Sequence, residues 1–179
     1  MVVGTSSSML GALVLLLLWS SSTTVVHAGP ALDQLCGILG SSYVTPELCV
    51  SVLCVDPSCH SARGAPELAA LETRLAVANA TATKASIESA LAHAADAQTR
   101  KAMRSCVQLY DGTVPALQWA ARSVSKGRYS GAREVLQAAF YVPSGCSGMA
   151  GAVALPREND GFSILALVVH AVLGSMRTP

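Results

Sequence analysis

Beyond residue 30, apolar positions recur at steps of three and four, and no stretch alternates at every second residue. That period predicts α-helices nearly everywhere and strands nowhere. In "ALDQLCGILG" it places Ala31, Leu35 and Ile38 or Leu39 on one side of a short helix that stops at Gly40. "TPELCVSVLC" predicts a second helix, with Thr45 as N-cap and Pro46 at the first helical position. Residues 56–66, "DPSCHSARGAP", read as a turn-rich linker. A long Ala-rich helix is expected from residue 66 to about 97, with Leu68, Leu71, Leu75, Ala78 and Ala82 on one face. Ile87 and Leu91 fall on the other side, so this helix is either covered twice or bent near residues 81–83.

The next segment has the clearest seam. Met103, Val107, Tyr110, Val114, Leu117, Ala121 and Val124 alternate steps of four and three, and Lys126-Gly127 supplies a cation and then a C′ glycine. Gly112 and Pro115 weaken the expectation of a straight helix there. A further helix turns Tyr129, Ala132, Leu136 and Ala139 or Phe140 inward and stops at Val142-Pro143. A Gly/Ser loop to about Gly161 is expected, then a last helix with Phe162, Leu165, Val169, Val172 and Met176 inward. That helix is apolar almost all round, which suits the centre of a bundle.

Composition agrees with a bundle: 51% of the 179 residues are hydrophobic, but only 4% are aromatic. Small residues let helices approach closely, and few rings are available to fill a sandwich. Met1 to Ala28 reads as a secretory signal, with an apolar run from Met9 to Trp19 and Val26 and Ala28 at the −3 and −1 positions of the cleavage site. Eleven apolar residues are too few to cross a bilayer, which takes about 20. A lipid-anchor signal at the other end is not expected either, because "GSMRTP" follows the last apolar run. The formal net charge is +1, which gives no support for a nucleic-acid partner.

Six cysteines in a chain read as secreted predict disulfides. Zinc is the rival for Cys49, Cys54, Cys59 and His60, but C-x4-C-x4-C-H lacks the C-x2-C knuckle, so no metal is expected. If two helices fold back at Gly127, Cys106 and Cys146 lie level at the open ends of the pair, provided the chain stays nearly helical to Cys146. A Cys106–Cys146 bond would clamp them. Among the other four, Cys36–Cys49 would tie the two short helices and leave Cys54–Cys59 to close a tight loop; other pairings of these four remain open.

No arrangement of side chains reads as catalytic. The acids are scattered, no Gly-x-Ser-x-Gly elbow occurs, and His60, His93 and His170 are each explained by structural roles. Neither an enzyme activity nor a cofactor is expected. What stands out is charge: Arg100, Lys101, Arg104, Arg122, Lys126, Arg128 and Arg133 crowd into a short stretch against Asp111 and Glu134. A solvated helix face explains them, and so does a docking surface for an acidic partner. Within it, "SKGRYSG" is a tight turn presenting Lys126, Arg128 and Tyr129, and arginine and tyrosine are common at interface hot spots. Tyr129 equally well begins the inward stripe. Asn79-Ala80-Thr81 is an N-glycosylation sequon.

These segments, taken together, resemble the plant invertase inhibitor and pectin methylesterase inhibitor family over nearly the whole mature chain. The likeness rests on "LCGILGSSYVTPELCVSVL" with Cys36 and Cys49, "NATATKASI", "RSCVQLYDGTVPALQWA" with Cys106, "GRYSGAREVLQAAF" up to Cys146, and "FSILALVVHAVL". It implies an all-α, disulfide-stapled, up-down-up-down four-helix bundle with an N-terminal helical hairpin. The expected organisation is 1–28 signal, 29–64 hairpin and linker, and 65–179 bundle. It also implies Cys36–Cys49 and Cys106–Cys146 bonds, with Cys54 and Cys59 outside the family's four. Members are non-catalytic and cover the active-site cleft of a carbohydrate enzyme. The expected partner is therefore pectin methylesterase, or else acid invertase, met in the apoplast or cell wall through Lys126, Arg128, Tyr129, Arg122 and Arg133, with pectin as a further contact and no membrane anchor. Invertase inhibitors carry Pro-Lys-Phe where this chain has Arg128-Tyr129-Ser130, which favours the esterase. A polyuronide-binding protein and a small-molecule carrier are the other classes considered; the many alanines argue for close packing and against the carrier.

Overall fold

The structure, a computed structural model, describes residues 29–39 and 44–176. The expected signal segment with its cleavage site at Ala28, and the helix stop at Gly40, lie outside these residues. Seven α-helices are seen among them: α1 (Pro30–Leu39), α2 (Pro46–Leu53), α3 (Ala65–His93), α4 (Ala97–Val124), α5 (Ser130–Phe140), α6 (Val142–Ala150) and α7 (Glu158–Ser175). A short 3₁₀ turn, Pro57–Ser61, lies in the linker.

Local chemistry sets the boundaries. Thr45 caps α2, its Oγ1 accepting from Leu48 N–H at 3.2 Å, with Pro46 in the first turn. Asp56 caps the 3₁₀ turn, accepting from Ser58 N–H at 2.9 Å. Asp96 caps α4, accepting from Thr99 N–H at 2.8 Å and Thr99 Oγ1 at 2.6 Å, so α3 ends at His93 and not near residue 97. At the far end of α4, Gly127 takes φ +70°, which glycine adopts without the steric cost of a Cβ. Arg128 N–H reaches back to Ser123 O and Gly127 N–H to Val124 O, both at 2.9 Å, closing the Schellman turn.

The long helices form a closed ring in which α3 packs on α4 and α7, α4 also on α5 and α6, and α5 and α6 on α7. Paired contacts give the directions. Trp119 meets Gly131 while Leu109 meets Gly145, so α4 and the α5–α6 leg are antiparallel. Thr83 meets Glu158, near the start of α7, while Ala65, at the start of α3, shares a groove with Ser175 at the end of α7. Up-down-up-down order follows. Helices α1 and α2 pack on each other and cover the end of the bundle, with Leu32, Leu35, Leu53, Leu68, Leu71, Val168 and Val172 forming a second core. Since α7 also gives Phe162, Leu165, Ala166, Val169 and Leu173 to the main core, it is buried from two sides.

Three disulfides lock this arrangement: Cys36–Cys49, Cys54–Cys59 and Cys106–Cys146. The last joins α4 to α6 and clamps the antiparallel pair as its geometry required.

Several expectations about faces are corrected. Residues 142–150 are helical, not part of a Gly/Ser loop. Pro143 in the first turn of α6 gives up an N–H that has no partner there anyway, so the proline restarts the helix where it ends the one before. Asn159 extends this end: Tyr110 Oη donates to Asn159 Oδ1 at 2.8 Å, and Asn159 Nδ2 donates to Pro143 O at 3.2 Å. The last helix accordingly starts at Glu158, before Gly161. In α3 the buried stripe is Ala69, Thr73, Ala76, Ala80, Thr83 and Ile87; Ala78 and Ala82 are exposed and Leu75 half-buried. The helix is continuous, and the choice between a second covering and a bend resolves to covering, since Leu68 and Leu71 face the hairpin. In α1 the buried residues are Leu32, Leu35 and Cys36, while Ala31 is half-buried and Ile38 is 60% exposed.

Candidate partner-binding surface

The turn between α4 and α5 was the strongest candidate from sequence, and it stands at one end of the bundle on a rigid support. Arg122 lies in the last turn of α4, and Lys126 and Arg128 flank Gly127; all three are exposed. None takes part in the ion pairs found among the described residues, which are Arg63–Glu67, Lys84–Glu88, Lys84–Asp111 and Arg157–Glu158. Three unpaired cations are thus held at a turn closed by the N–H groups of Ser125, Lys126, Gly127 and Arg128 bonding back to α4.

Tyr129 and Arg133 behave differently. Tyr129 is half-buried and packs against the main core, so it does begin the inward stripe. Arg133 is half-buried and its Nη2 donates to Met176 O at 2.9 Å, tying α5 to the end of α7. The structure therefore gathers Arg122, Lys126 and Arg128 at the surface and spends the other two largely on packing.

Sequence reasoning missed one neighbour of this cluster. Trp119, one turn before Arg122, is 47% exposed. Its indole lies against α5: a Cβ built on Gly131 would stand 2.8 Å from Trp119 Cη2, so the ring occupies the space a side chain would need. An apolar ring placed off the buried stripe of an otherwise regular amphipathic helix was the signal available.

The metal-site candidate resolves to a disulfide. The ligand atoms of Cys54, Cys59 and His60 lie within 4.8 Å of one another, but the two sulfurs are bonded to each other, so no thiolate is left for a metal. His93 Nδ1 lies 2.7 Å from Ser89 O. Asn79 of the sequon is half-buried on α3, with Thr83 Oγ1 3.5 Å from its Oδ1. An open groove of about 670 Å³ runs between α1, the linker and the end of α7, at Leu35, Ile38, His60, Ala62 and Met176. One ionisable group is out of place: Glu72 on α3 is fully buried, and neither carboxyl oxygen finds a hydrogen-bond partner. Burial alone pushes its pKa well above the usual carboxylate value, so it is held as the neutral acid. No helix among the described residues is long and apolar enough to cross a membrane.

Comparison with known proteins places this geometry. Residues 30–163 match the family described as plant invertase/pectin methylesterase inhibitor. The fold is similar to a crystal structure of a pectin methylesterase inhibitor from Arabidopsis thaliana, with a TM-score of 0.61 and 17% identity over 82% of this chain and 97% of that one. Among curated protein sequences no match is found.

Proposed function

Because the chain belongs to the plant invertase/pectin methylesterase inhibitor family, and so is by class an inhibitor and not a catalyst, we propose that its target is a pectin methylesterase. Inhibition is steric: the α4–α5 edge of the bundle covers the target's active-site cleft in a reversible complex. The observation that carries this reading is the exposed, unpaired set Arg122, Lys126 and Arg128 at a turn whose N–H groups from Ser125 to Arg128 bond back to α4. A preorganised surface loses little conformational entropy on docking. Arg128-Tyr129-Ser130 in place of Pro-Lys-Phe favours the esterase over invertase. Residues 1–28 direct the chain to the secretory route, where disulfides form, and the complex is made in the cell wall. Asn79 is the glycan acceptor, used before α3 packs.

The test is a paired titration. Purified oxidised protein is titrated against plant pectin methylesterase and plant acid invertase at pH about 5. Loss of esterase activity alone is the expected result. Loss of invertase activity alone would move the target to the other branch, and activity against neither would overturn the inhibitor reading.

A further inference from the structure

The solvent-facing stripe of α4 runs Arg104, Gln108, Gly112, Pro115, Trp119, Arg122, at steps of four and three, and all six are exposed. It spans about 27 Å at 1.5 Å per residue. It carries an arginine at each end and no acid; Asp111 beside it is turned away to Lys84, at 2.7 Å. Between the arginines lies one large apolar side chain, Trp119, flanked by small residues. A Cβ at Gly112 would meet nothing within 4 Å, so the floor there is open. At Gly131 a Cβ would run into the indole, so the absence of a side chain there lets the ring lie against α5. The result is a partly exposed aromatic knob seated against α5 beside an uncrowded stretch of α4.

We propose that Trp119 is the anchor that enters the carbohydrate-binding cleft of the target enzyme, held in position by Gly131 and flanked by Arg122. This rests on the inhibitor reading above and names the residue and the chemistry behind it. A cleft that holds a polysaccharide is concave and presents flat apolar walls to the faces of sugar rings. An indole offers the same flat apolar face together with an edge N–H donor. Tryptophan loses little side-chain entropy on docking, and less still when the ring is already seated; it is among the residues that dominate interface energetics. The unpaired cations beside it set approach and register, while the ring supplies residence time.

The experiment compares the wild-type protein with Trp119→Ala, Trp119→Phe and Gly131→Ala, using the inhibition constant against the enzyme that the wild type inhibits. Trp119→Ala is expected to raise the constant at least about 30-fold, the range of an interface hot spot. Trp119→Phe should recover part of the loss. Gly131→Ala, which touches no partner in this account but forces the indole to move, should raise the constant several-fold. Thermal midpoints guard against misfolding, and 5-fluorotryptophan in the inhibitor adds a direct readout, since its ¹⁹F signal from Trp119 should shift when the enzyme binds. A wild-type protein that inhibits, with Trp119→Ala equal to it and the fluorine signal unmoved, would overturn this inference and leave the inhibitor reading standing. A wild type inactive on both enzymes would overturn both. Self-association lost in Trp119→Ala would assign the knob to a second copy and overturn the inference likewise.

Discussion

At the scale of single residues, burial decides which side chains set stability. Glu72 has no partner and no charged group offsets its desolvation, so the native state holds it protonated. Its pKa is raised on folding. The stability it permits is therefore fully present below the unfolded value near 4.5 and is lost as the pH rises through the native value. The protein should melt higher at pH 5 than at pH 8, and Glu72→Met should narrow that gap by raising the midpoint chiefly at pH 8. Thermal melts at the two pH values check this; a gap unchanged in Glu72→Met would show that other groups set it. Tyr110 is the opposite case, a buried polar group with a partner. Burial first, and the Asp160 charge second, raise its pKa, and its hydroxyl bonds Asn159 at 2.8 Å. Tyr110→Phe leaves Asn159 Oδ1 short of a donor in the core, so urea unfolding should show a loss of about 1–3 kcal/mol. Neither property was legible in sequence. Glu72 falls on the inward side of a helix where a polar symbol says "outside", and nothing local announces that its face is covered.

At the scale of helices, period was more legible than face. Met103, Tyr110, Leu117 and Val124 are buried as the seam predicted, but Cys106, Thr113 and Ala120 complete the stripe, while Val107, Val114 and Ala121 are half-buried. In α3 the buried stripe runs through Thr73 and Thr83, which a period of apolar residues alone does not mark. Each hydroxyl donates to the carbonyl four residues back, Ala69 O and Asn79 O, both at 2.9 Å, so each threonine enters the core with its donor satisfied. Thr83 Oγ1 also lies 3.2 Å from Glu158 O, a tertiary partner invisible in the chain. The covalent links separate helix from helix by loop length. Cys106–Cys146 closes 40 residues and Cys54–Cys59 only 5. On chain entropy their serine double mutants should lose about 4 and about 2 kcal/mol respectively, and denaturant unfolding measures the difference. Equal losses would mean that packing around α6, and not closure of the long loop, is what the bond protects.

For the whole molecule, the order of cysteines among helical segments carried the fold, because it survives small errors in every boundary. The docking surface was legible only in part. The exposure of Lys126 and Arg128 was legible because a C′ glycine fixes a turn at the surface whatever the packing around it. Arg133 and Tyr129 could not be sorted from them, since their environment is made by the end of α7 and by the core, far away in sequence. Trp119 lacked any local signal except its phase. A rigid bundle is central to steric inhibition, so complete reduction should abolish it although no sulfur touches the target. Fully reduced protein that inhibits normally would remove the disulfides from the account.

Occlusion of the cleft is the central claim, and steady-state kinetics tests it most directly. Initial rates of pectin demethylation would be measured across pectin concentrations at several fixed concentrations of the oxidised inhibitor. The account predicts that the apparent KM rises with inhibitor while kcat stays constant, because inhibitor and polysaccharide exclude each other. A falling kcat at constant KM would mean that the enzyme binds pectin and inhibitor together, and would contradict it.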